Sequence, residues 1–142
     1  MKSFHQFLIE AAKSGGKFAS LPATIEPVLQ SFKVMHWNIS GENFLPIHGL
    51  LGEVYDGLAG FQDRIAEKSR GDGSSPIITG TSVSLPGAYD VDSCIAQSIT
   101  LLTSLRASVA SVDLSDSTID NIVGEMTEAI DVYLYKLKSS KE

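Results

Sequence analysis

Two of the three histidines in this 142-residue chain, His36 and His48, stand twelve positions apart. A DxxxE pair follows at Asp63 and Glu67. Imidazole nitrogens together with carboxylate oxygens suit iron, zinc, manganese or copper. Leu45 to about Ser69 reads as one long helix, and at about 100° per residue His48, Gly52, Asp56, Asp63 and Glu67 share one broad stripe. His48 and Glu67 are nevertheless about 28 Å apart along such a helix. One copy of it cannot bring both to a single ion.

Two antiparallel copies can. Positions 48 and 67 share a midpoint with positions 52 and 63, between Gly57 and Leu58. A two-fold axis there sets His48 against the partner's Glu67 and Gly52 against the partner's Asp63, and each contact occurs twice. His36 lies just across the turn at Gly41 and joins His48. The spacing therefore predicts two metal sites per dimer, each shared between subunits, through His36, His48, Asp63 and Glu67. Asp56 is a substitute ligand, displaced by about 6 Å along the axis. The same helix holds Gly49, Gly52, Gly57 and Gly60, each costing up to about 1 kcal/mol relative to alanine. Gly49, Gly52 and Gly60 lie within about 80° of one another beside the stripe, and all four are expected at the dimer seam, where backbones approach closely. The bland alternatives are glycines tolerated by tertiary contacts and carboxylates in weak surface pairs, Asp63 with Lys68 or Glu67 with Arg64.

The run His36-Trp37-Asn38, then His48, then Asp63-Arg64-Ile65-Ala66-Glu67 resembles the Dps proteins, the ferritin-like DNA-protection family of starved bacteria. A weaker echo lies at Asp116-Ser117-Thr118-Ile119-Asp120. The match is dense from about Val28 to Glu67 and thin elsewhere. The resemblance implies a hollow dodecamer built from dimers. It would oxidise and store ferrous iron, protecting against oxidative damage, with zinc able to sit in iron's place. It also implies that Trp37 lies near the iron site, whereas as an aromatic on a helix it is expected in the core. It further implies that Asp113, Asp116 and Asp120 line pores for cations; their bland role is to favour a helix N-terminus. The family has an Asp where this chain has Gly52, so the implied ferroxidase is expected to be impaired. Gly52→Asp is expected to restore the ligand. The other reading is a catalytically degenerate shell with a structural or DNA-associated role.

The elements needed to hold these residues are legible as an all-α chain. One ferritin-like domain over residues 1–142 is expected, a four-helix bundle with a short extra N-terminal helix carrying Phe4, Phe7, Leu8, Ala11 and Ala12. Thr24 is the expected N-cap of the first bundle helix, with Pro27 in its opening turn. That helix ends near Ile39, and Gly41 is a natural stop. Pro46 opens the long helix. Residues 71–90, rich in Gly, Pro, Ser and Thr, read as a long crossover that lets the third helix run parallel to the second. The third helix spans about Val91–Ser111, with Ile95, Ile99, Leu102, Leu105 and Val109 inward. Asp116 or Ser117 caps the fourth.

Composition narrows the function classes. No Glu-x-x-His occurs, which disfavours a di-iron centre inside one subunit. There is no P-loop, GxSxG, CxxC or HExxH. No apolar run reaches the ~20 residues of a membrane span. A single cysteine, Cys94, excludes an intrachain disulfide framework and suits a reducing cytoplasm; it is expected buried on a helix. Net charge is −6, which attracts cations and repels nucleic acid, so weak or no DNA binding is expected. Lys136, Lys138 and Lys141 form a short basic tail that also suits a helix C-terminus.

Overall fold

The computed structural model describes residues 3, 20–71, 77, 79–80, 82–112 and 119–141. Among them are four helices: α1 (Leu21–Asn38), α2 (Phe44–Gly71), α3 (Val91–Ala110) and α4 (Asp120–Ser139). The expected N-terminal helix, with Phe4 to Ala12, lies outside the described residues, as do Asp113 and Asp116.

Helix directions follow from what meets at one end of the bundle. α1 ends beside the turn at residues 39–43, where Gly41 adopts φ +119°, a conformation that glycine alone takes without strain. Asn43, at φ 61°, completes the reversal into α2. The crossover returns to this same turn: the Ser40 N–H donates to the Tyr89 carbonyl, and Ser40 and Asp90 form an isolated parallel bridge. α3 therefore starts where α2 starts and runs parallel to it, as the length of the crossover requires. Ser140, just past α4, lines a hollow with Ser40 and Asp90 at this end. α4 thus runs back against α3.

The core runs the length of the bundle. Phe32 and Met35 of α1 join Leu51, Leu58 and Ile65 of α2, Leu102 and Leu105 of α3, and Met126, Ile130 and Leu137 of α4. The expected inward residues of α3 are buried, apart from Ile99, which is partly buried against the core. Cys94 is fully buried in α3, and burial raises its thiol to about 11.

Two helix starts differ from expectation. α1 begins at Leu21, because Pro22 is accommodated at a position where no intrahelical N–H is needed. Thr24, the expected cap, lies inside the first turn with its hydroxyl donating to the Ser20 carbonyl at 2.9 Å. Pro27 is consequently internal to the helix. α4 begins at Asp120 with Ile119 at its N-cap and no side-chain cap bond, in place of a cap at Asp116 or Ser117. α3 has a built cap: the Asp90 carboxylate accepts from the Ser93 N–H at 3.1 Å, and hydrogen bonding from the Ser93 side chain and then its N–H holds the Asp90 pKa below the ordinary value.

Candidate metal centre

The two histidines of the HWN-to-His interval come together at the α1–α2 turn. His36 sits in the last turn of α1 and His48 near the start of α2. Each ring bonds to the other residue's backbone. His36 Nδ1 lies 2.8 Å from the His48 carbonyl oxygen, and His48 Nδ1 lies 2.8 Å from the His36 carbonyl oxygen. The rings stack, with centroids 3.9 Å apart and planes 15° from parallel. Phe44 meets the His48 ring edge-on at 6.2 Å.

This reciprocal bonding has a simple origin in helix ends. The last carbonyls of an α-helix lack intrahelical donors. Here the Ile39 N–H returns to Met35, but the Ser40 N–H goes to Tyr89. The His36 carbonyl is left for the His48 ring. A carbonyl only accepts, so Nδ1 is the protonated nitrogen in both rings. In the neutral imidazole, Nε2 then keeps its lone pair. A ring whose N–H is held by a backbone carbonyl is the usual arrangement of a metal-binding histidine.

Gly52 explains how the His36 ring reaches its place. A Cβ at position 52 would lie 2.9 Å from His36 Cε1 and 3.2 Å from Nδ1. The end of the His36 ring thus packs directly on the Gly52 backbone. An aspartate here would require the end of the His36 side chain to shift. The four glycines separate by surroundings. Gly49 and Gly60 face open space within the subunit. Gly57 does not: a Cβ there would overlap the Tyr133 hydroxyl of α4. Its close contact within the subunit is with Tyr133 of its own bundle.

The carboxylates lie elsewhere on α2. Asp63 and Glu67 are exposed and far down the helix from the histidines. Arg64, the expected surface partner of Glu67, bonds Glu125 at 2.6 Å instead. Among the described residues no three His, Cys, Asp or Glu side chains of one chain group to hold a metal. Asp56 is closer to the histidines: it lines an open hollow of about 490 Å³ with Lys33, His36, Trp37, Gly52 and Tyr55. Trp37 is 66% exposed rather than in the core, because it points outward from the final turn of α1. The Lys33 ammonium lies 5.5 Å from its ring and 5.9 Å from that of Tyr55. Lys33 and Tyr55 were not legible as neighbours of the site. The one signal was their helical spacing, with Lys33 three residues before His36 and Tyr55 three after Gly52. Asp120 accepts from the Asn121 N–H at 2.8 Å, the helix-start role.

No family model matches the chain. It is 28% identical over 119 residues to the DNA protection during starvation protein 2 of Deinococcus radiodurans, covering 75% of this chain and 49% of that one. The chain thus spans about half the length of that relative. It is 29% identical over 113 residues to the DNA protection during starvation protein of Brevibacillus brevis, covering 71% of this chain and 73% of the relative. Among solved structures, Dps from Microbacterium arborescens in its high iron form superposes with a TM-score of 0.75 at 22% identity, covering 91% of this chain and 92% of that one. A dodecameric thioferritin, the bacterioferritin-related protein from Bacteroides fragilis, superposes with a TM-score of 0.76 at 12% identity, covering 91% and 84%. The chain is thus similar in sequence to DNA protection during starvation proteins, and it shares the four-helix fold of the Dps and thioferritin structures.

Proposed function

We propose that this chain binds and stores iron as a subunit of a Dps-like shell, at metal sites shared between two-fold-related subunits. The observation that carries the proposal is the reciprocal His36–His48 bonding, which leaves each Nε2 as the free donor. One subunit supplies these two nitrogens and the partner supplies Glu67, with Asp63 nearby. The exposure of both carboxylates, and the diversion of Arg64 to Glu125, support this division of labour. The dodecameric thioferritin supports a closed shell of twelve.

Imidazole and carboxylate donors fit ferrous iron and also zinc. Iron is the cargo: each ferrous ion gives one electron to oxygen or peroxide, and ferric product accumulates inside. Two imidazoles do little to offset the charge of a second cation, so one ion binds well and a second weakly. Oxidation is consequently slow for the family. The test is metal analysis of the purified shell, followed by aerobic ferrous oxidation by wild type, His36→Ala and Glu67→Ala. Bound iron or zinc in wild type, with oxidation lost in both variants, is the expected result. Equal inertness of all three would favour the degenerate shell with a structural or DNA-associated role. In keeping with the net charge of −6, duplex DNA should bind weakly and with strong salt dependence.

A further inference from the structure

We infer that Lys33 of each subunit forms an ion pair with the partner's Glu26, which makes the stripe of α1 carrying these two charges a self-complementary docking surface for a second copy of this chain. The inference rests on the shared-site reading above for its two-fold axis, and it names the contacts that set the register of the two copies.

Both charges are half-buried and held in place, yet neither has an ionic partner in its own subunit. The ion pairs among the described residues are Arg64–Glu125, Arg106–Asp131 and Lys136–Glu53. Glu26 and Lys33 lie seven residues apart on one line of α1, about 10 Å along the helix and too far to pair with each other. Gln30 Nε2 donates to Glu26 Oε1 at 2.9 Å, and Gln62 Nε2 donates to Oε2 at 2.7 Å. A carboxylate offers about four lone-pair sites, so two remain for a cation. The Lys33 ammonium stands 5.5 Å from the Trp37 ring and 5.9 Å from that of Tyr55, rings that attract it but carry no net charge.

The packing of α1 on α2 fixes where this stripe falls. Gln62 bonds both Pro22 and Glu26, which sets it level with Thr24. His36 bonds His48 and packs on Gly52, which sets it level with Leu50. From either end, the midpoint of Glu26 and Lys33 is level with the step from Asp56 to Gly57. That is about 1.5 Å along the axis from the two-fold point between Gly57 and Leu58. The two-fold that sets His48 against the partner's Glu67 therefore also brings Lys33 within about 3 Å, along the axis, of the level of the partner's Glu26. Each contact occurs twice.

Charge reversal tests the pair. Lys33→Glu sets two carboxylates against each other at each contact, and Glu26→Lys sets two ammoniums. Each should weaken association in twos by about tenfold or more, since like charges are then juxtaposed. The two variants mixed in equal amounts, one of them ¹⁵N-labelled, should pair with each other, because each offers at both contacts the charge the other needs. Native mass spectrometry of metal-free protein over a concentration series reads the pairing, and circular dichroism reads the helix content. If Glu26→Lys fails to fold, because Gln30 and Gln62 lose their acceptor, Lys33→Glu combined with Glu26→Gln takes its place. Removing one of the facing carboxylates should then recover part of the pairing lost in Lys33→Glu. Lys33→Glu subunits that pair as tightly as wild type, or folded variants whose mixture holds no mixed pairs, would overturn the inference while leaving the shared-site reading intact. Wild type that never associates in twos would overturn the shared-site reading and this inference with it.

Discussion

Gly52 and Gly57 lie five residues apart on α2 and look alike in the sequence. Each is a glycine in a helix interior, each unfavourable there by up to about 1 kcal/mol. In the fold each makes room for an aromatic ring from another helix, but the rings differ in kind. Gly52 faces His36 at the polar α1–α2 end, and Gly57 faces Tyr133 of α4 on the flank of the core. Tyr133 is buried, which raises its pKa and keeps the phenol neutral, and nearby Lys136 pairs with Glu53 at 2.9 Å across the same helix pair. One glycine lies against a candidate metal-binding histidine and the other against a tyrosine of the core. Helical spacing alone cannot separate the two, because the deciding ring comes from elsewhere in the chain.

The largest expected effect is at Gly57. Gly57→Leu should cost about 2 kcal/mol or more through overpacking against Tyr133, read as a lower apparent melting temperature. Gly57→Ala should be milder, and Tyr133→Phe should partly rescue it by removing the overlapping oxygen. A Gly57→Leu protein as stable as wild type would show that Tyr133 gives way without cost. At Gly52 the contrast is the reverse. Gly52→Ala should change stability by no more than about 1 kcal/mol, since the helix gain offsets a small shift of the His36 ring. Loss of stability equal to that of Gly57→Leu would show both glycines to be packing devices.

Cys94 marks the packed region from within. With its pKa raised to about 11 by burial, it carries almost no thiolate at pH 8. Native protein should therefore resist alkylation that denatured protein undergoes readily. Rapid native labelling would show that the core near the start of α3 opens.

The smallest effect belongs to the surface. Arg106 bonds Asp131 and holds its carboxyl below the ordinary 3.8. A depressed carboxyl contributes stability above its unfolded-state pKa and loses it as the pH falls through the lower folded value. Asp131→Asn should remove only a small increment near neutrality, and the gap from wild type should close in acid. Both residues are substantially exposed, so added salt should shrink the increment.

Much of the fold was legible. The apolar spacing of α2 and α3, the Gly41 turn and the long crossover each have local causes, and α2 and α3 appear within two residues of their expected ends. The helix starts were less legible, because Pro22 and Pro27 both suit an opening turn and only tertiary packing chooses between them. At the site, the pairing of His36 with His48 could be read from the turn between them. The carbonyl bonds, the outward Trp37 and the ring seated on Gly52 could not. Each depends on the angle at which α1 meets α2, which no local pattern encodes.

The central claim is that one subunit's histidines and the partner's carboxylates form each metal site. It is tested most directly by mixing subunits. His48→Ala and Glu67→Ala are each purified, dissociated, combined in equal amounts and reassembled, and Zn²⁺ binding is counted. Each variant alone should bind little. Random two-fold pairing makes half of the dimers mixed, and each mixed dimer regains one intact site of two. The reassembled shell should therefore recover about a quarter of the wild-type sites. No recovery, in shells shown by mass to contain both subunits, would contradict the shared site.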